Sequence, residues 1–67
     1  MLIEDGVNYT TDEKEGKKYK CRKFNYSVYH KGRFFEDSFV YCFTSHEMLQ
    51  LVNHWNRKSP EWKYVLN

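Results

Sequence analysis

The sequence predicts an α+β domain, a small antiparallel sheet in β-β-β-α-β order with one helix packed on its aromatic face. Two segments that alternate in polarity flank Lys31-Gly32, the mark of a hairpin with a tight turn. Met48, Leu51, Val52 and Trp55 recur at i, i+3, i+4 and i+7, the period of one helix face. Trp62, Tyr64 and Leu66 then alternate with Glu61, Lys63 and Val65, as a short final strand would.

Residues 1–16 read as an irregular or edge-strand segment, with a strand around Val7–Thr10 and a turn over Asp12–Gly16. If Lys31-Gly32 is a two-residue turn, His30 lies opposite Arg33 and Val28 opposite Phe35. The same register pairs Phe24 with Phe39 and Cys21 with Cys42. One face then collects Phe24, Tyr26, Val28, Phe35, Phe39, Tyr41 and Phe43, the expected core side. The other collects Lys23, Asn25, Ser27, Tyr29, Phe34, Glu36, Ser38 and Val40. Lys20 and Arg22 would point toward the core, so either they snorkel past the sheet end or a bulge near Arg22-Lys23 turns Tyr19 and Cys21 inward.

The helix is expected over Thr44–Asn56. Thr44-Ser45-His46-Glu47 matches a capping box, in which Thr44 accepts from first-turn N–H groups and Glu47 reaches back. Leu49 widens the apolar stripe, Asn56, Arg57 and Lys58 suit the C-terminus, and Ser59-Pro60 stops the helix.

Six Tyr, five Phe and two Trp make up 19% of the 67 residues. Rings that bury roughly 150–250 Å² each can form a core in a chain this short, so residues 1–67 are expected to be a single compact domain. No run approaches the roughly 18 apolar residues of a membrane span. The first residues, Met1 to Gly6, lack the basic and apolar regions of a signal peptide. The expected location is cytoplasmic, with Cys21 and Cys42 as reduced thiols and no membrane partner. Alanine is absent while Lys, Asn, Tyr and Phe are plentiful, a bias that follows AT-rich codons and suits a short phage or mobile-element gene. The cytoplasm would then be that of a bacterial host.

Motifs for chemistry are sparse. Cys21, Cys42, His46 and His54 could be imagined around zinc, but the cysteines stand far outside zinc-knuckle spacing, and surface histidines on a helix are the plainer reading. Glu36 and Asp37 are neighbours on a strand and so point to opposite faces, unlike paired acid/base carboxylates. No phosphate loop, nucleophile elbow or metalloprotease motif occurs. No cofactor, metal or catalysis is expected.

Charge is distributed unevenly under the net +2. Glu4, Asp5, Asp12, Glu13 and Glu15 make Met1–Glu15 acidic against Lys14 alone. Between Gly16 and Phe34 there is no acid, but Lys17, Lys18, Lys20, Arg22, Lys23, Lys31 and Arg33 are basic and interleave with aromatics. Tyr, Trp, Phe and Arg are residues that protein interfaces favour. The expected function is therefore a non-enzymatic interaction protein, a phage accessory factor or inhibitor that occludes a host protein. Its contacts would be Lys23, Tyr29, Lys31, Arg33 and Phe34, with Tyr29 and Phe34 as anchors. The alternative is a small module that reads duplex DNA with the same face, neutralising phosphates and stacking or wedging aromatics. The sheet-then-helix order over Lys18–Asn56 is similar to that of the arm-type DNA-binding domains of phage and transposon integrases, in topology only and without a diagnostic motif. A homodimer through a sheet edge is a third arrangement.

Overall fold

Asp5-Gly6 and Lys31-Gly32 both adopt left-handed backbone, with φ of 52° and 78° in the first pair and 52° and 81° in the second. Positive φ at both central residues is the primed turn whose twist matches antiparallel strands. In the computed structural model, which describes residues Met1–Asn67, each pair closes a hairpin. The first joins β1 (Leu2–Glu4) to β2 (Val7–Thr10), and the second joins β3 (Arg22–His30) to β4 (Arg33–Cys42). A short helix α1 (Glu13–Lys18), a long helix α2 (Ser45–Lys58) and strand β5 (Trp62–Leu66) complete the chain. The sheet order is β1-β2-β4-β3-β5, with every neighbouring pair antiparallel.

The fold is thus the expected small α+β sheet, with one more strand and one more helix than the predicted β-β-β-α-β order. The predicted turn over Asp12–Gly16 is instead the start of α1. Asp12 caps it by accepting from the Lys14 N–H at 2.9 Å, and Glu13 and Glu15 in the first turn and Lys17 and Lys18 in the last complement the helix dipole. Gly16 is there for close approach. A Cβ at this position would lie 2.7 Å from Cγ of Tyr41, whose ring α1 covers.

The β3–β4 register differs from the expected one in an informative way. His30 does pair with Arg33, but Tyr29 pairs with Phe34 and Val28 with Glu36, leaving Phe35 as the extra residue of a bulge. From Val28 onward every predicted pair is displaced by one. Phe24 faces Val40, not Phe39, and Cys42 faces Arg22, not Cys21. Of the two alternatives for Lys20 and Arg22, the bulge near Arg22-Lys23 is absent; the chain turns at Lys20, with φ 57°, and Arg22 stays exposed at the sheet end beside the Phe24 ring. The displacement also exchanges the faces of β4. Val40 and Cys42, the first of which was expected outside, are fully buried, while Phe39 and Phe43, expected inside, are exposed; Phe35, the bulge residue, stays on the helix side but is exposed as well. Tyr41 is buried from the opposite side, by α1.

α2 crosses the other face and closes the core. Met48, Leu51 and Val52 pack with Val7, Val40 and Cys42, ringed by Tyr9, Phe24, Tyr26, Trp55, Tyr64 and Leu66. The face beneath the helix is therefore aromatic at its margins, while small residues sit under its axis. Each fully buried aliphatic side chain contributes about 1.5–3 kcal/mol. Thr44 caps α2 by accepting from the Glu47 N–H at 3.1 Å, and its hydroxyl donates to the Glu47 carboxylate at 3.3 Å. The predicted backward reach of Glu47 is thus to the Thr44 side chain. Leu49 lies exposed, outside the stripe it was expected to widen, and the helix runs on to Lys58, past the predicted end at Asn56. Near that end Asn56 binds the backbone of β5 at two points: its amide donates to the Tyr64 carbonyl at 3.0 Å and its oxygen accepts the Tyr64 N–H at 2.7 Å. No helix is long and apolar enough to cross a membrane.

Candidate binding surface

The face of the sheet away from α2 is covered only at one end, where α1 lies on Tyr41. The rest is open. Its rows follow from strand pairing: Asn25 beside Phe39, Ser27 beside Asp37 and Val65, then Tyr29 beside Phe34 and Lys63. Tyr29 and Phe34 meet edge to face, with ring centroids 5.8 Å apart. Tyr29, Gly32, Lys63 and Val65 line a shallow depression of about 350 Å³. Its lining holds no carboxylate, imidazole or thiol.

The β3–β4 hairpin reaches beyond α2, so its tip is bare on the helix side as well. There His30 stacks on Trp62 at 4.2 Å between centroids, and Phe35 meets the same indole edge-on at 5.2 Å. The bulge produces this second cluster, because the extra residue lets Phe35 turn toward Trp62 while Phe34 stays with Tyr29. Phe34 and Phe35 are 59% and 56% exposed, values well outside those of a core aromatic. The tip thus carries aromatic rings on both faces.

Four of the five residues expected to bind a partner gather at this tip. Tyr29 and Phe34 share the open face, Lys31 sits in the turn, and Arg33 pairs with His30 on the helix side. Lys23 does not join them. It lies six residues along β3 from Tyr29, roughly 20 Å at strand rise, with its ammonium 4.7 Å from the centre of the Phe39 ring. Sequence reasoning missed His30, Phe35 and Trp62. The Phe34-Phe35 pair was the available signal, since neighbours on a strand face opposite sides and only one of them could enter a core.

The charges divide into engaged and free. Glu4 and Asp5 pair with His54, Arg57 and Lys58, Glu15 with the N-terminal amine, Glu13 with Lys17, and Glu61 with His30. Lys23, Lys31, Arg33 and Lys63 make none of these ion pairs. The acidic N-terminal segment therefore turns its charge toward α2 and α1, and the basic residues of the tip are left to solvent.

No three His, Cys, Asp or Glu side chains converge as metal ligands, so Cys21, Cys42, His46 and His54 do not form one site. His54 is also no surface histidine, since it is held between two carboxylates. Both cysteines are free thiols. Burial, with a smaller contribution from the Glu47 charge, raises both thiol pKa values and pushes Cys42 up to about 11, which keeps its sulfur protonated and a poor nucleophile near neutrality. No protein-family model, curated protein or solved structure is significantly similar to this chain.

Proposed function

We propose that this domain is a non-enzymatic binding protein whose β3–β4 tip docks on an acidic protein surface. In the phage or mobile-element setting that its composition suggests, it would act stoichiometrically, by occluding a host protein. The observation that carries this reading is the tip itself: exposed rings on both faces, rimmed by Lys31, Arg33 and Lys63 without ion-pair partners. Large exposed aromatics beside Arg are what protein hot spots are made of, and desolvating them supplies affinity that salt does not screen. Asp37 lies on the open face beside Ser27, to which it is bonded at 2.7 Å, and its charge would keep an acidic partner to the tip.

The test is affinity capture from host lysate followed by titration at two salt concentrations. Tyr29→Ala and Phe34→Ala are expected to weaken the captured protein's binding by about 1–3 kcal/mol each. Lys31→Ala with Arg33→Ala should cost less at high salt than at low salt. Recovery that disappears after nuclease treatment, with affinity falling by roughly 0.9 log units per phosphate contact for each log unit of salt, would replace this reading with duplex DNA.

A further inference from the structure

The β1–β2 hairpin is fastened to the rest of the fold in an unusual way. Its sheet contact with β4 consists of two residue pairs, Tyr9 with Cys42 and Thr10 with Tyr41. The turn end is held by the last turns of α2. Glu4 accepts from Trp55 Nε1 at 3.2 Å and from the Tyr9 hydroxyl at 3.1 Å. His54 sits between the carboxylates, Nε2 at 3.1 Å from Glu4 and Nδ1 at 3.5 Å from Asp5. From largely exposed side chains, Lys58 approaches Glu4 at 3.6 Å and Arg57 donates to Asp5 at 3.4 Å.

The chemistry of His54 decides the matter. A carboxylate only accepts hydrogen bonds, and a neutral imidazole has one N–H and one lone pair. The two contacts are ion-pair approaches, at 3.1 Å and 3.5 Å, so both are attractive only while the ring carries its positive charge. Loss of the proton turns one of them into a lone pair facing an anion, inside a region where water is partly excluded.

We propose that His54 is a proton-operated latch that holds the β1–β2 hairpin against α2. Every charged group facing the ring takes part: Glu4 from β1, Asp5 from the turn, and Arg57 and Lys58 from its own helix. The latch is closed while the ring is protonated and both carboxylates are ionised, and it loosens when the ring gives up its proton. It also fails in acid, once the carboxylates are neutralised. For Glu4 burial pushes the carboxyl up, but hydrogen bonds from Trp55 and Tyr9 and the charges of Lys58 and His54 outweigh it. Glu4 therefore sits below the usual carboxylate range. Release would swing Glu4 away from Trp55 and expose the indole N–H to water.

That N–H is the readout. Hydrogen exchange of Trp55 Nε1–H, corrected for the intrinsic pH dependence, is followed by NMR between about pH 5 and about pH 8, the interval that brackets the histidine range. In the wild-type chain its protection should fall several-fold, with a midpoint that coincides with the His54 ring titration. In His54→Gln, which cannot take up the proton, protection should be low and independent of pH. His30→Gln, which removes the imidazole paired with Glu61, should titrate like wild type. Protection that ignores pH in the wild-type chain would sink the proposal, as would an equal fall in His54→Gln. Should His54→Gln fail to fold, the wild-type midpoints still decide: opening that tracks His30 or His46 rather than His54 overturns the latch.

Discussion

The two ends of the sheet use the same residue types for opposite purposes. Under α2, Tyr9, Tyr26, Tyr64 and Trp55 form a continuous set of ring contacts, with centroids 5.2 to 6.1 Å apart, and border the aliphatic core. At the hairpin tip, Tyr29, Phe34, His30, Trp62 and Phe35 form contacts just as close, but no element lies over them. Ring contacts alone therefore do not make a core; a second layer does. At the covered end a lost side chain leaves a cavity. At the tip its space belongs to solvent, or to whatever docks there.

That contrast can be broken by mutation, and the largest effect is expected under the helix. Leu51 is fully buried, so Leu51→Ala should cost about 2–5 kcal/mol in a urea titration, a large part of what a domain this small possesses. Wild-type stability in that variant would mean α2 does not close the core. Next comes the other buried contact, α1 on Tyr41. Gly16→Ala forces a methyl into the ring and should cost about 1–3 kcal/mol, because ring and helix backbone must separate. A neutral result would show that α1 rides loosely on the sheet. The smallest effect is predicted for the tip, where Phe34→Ala or Phe35→Ala should shift stability by no more than about 0.5 kcal/mol. A loss as large as that of Leu51→Ala would place the tip in the core and remove it from consideration as a docking surface.

The same contrast explains what could be read from the sequence. α2 was legible because its stripe, its Thr44 cap and the Ser59-Pro60 stop all agree. The Lys31-Gly32 turn was legible for its glycine. The register beyond it was not, since Phe39-Val40-Tyr41-Cys42-Phe43 is apolar on both alternations and burial cannot choose between them. Volume makes the choice: Val40 and Cys42 fit beneath Met48 and Leu51, where a row of rings would hold α2 away from the sheet. The β1–β2 hairpin had a readable signal in Asp5-Gly6, a strong turn dipeptide, but the three residues of β1 are too few to show alternation. Of the candidate site, the Tyr29–Phe34 pair could be found from sequence. Its second face could not, because it depends on the bulge at Phe35.

The two hydrogen bonds from Asn56 to Tyr64 bear on how this chain behaves in a crowd. A strand at the rim of a sheet is a template on which another molecule's strand can grow, and β5 is such a strand, with no acid among its five residues. Its middle residue has its outward donor and acceptor already satisfied by the Asn56 amide, a group of the same shape as the peptide that would otherwise add there. The helix thus lends one side chain as a terminating half-strand, and polymerisation has no starting point at the centre of that rim. Substitution of Asn56 would leave the Tyr64 donor and acceptor open at that rim.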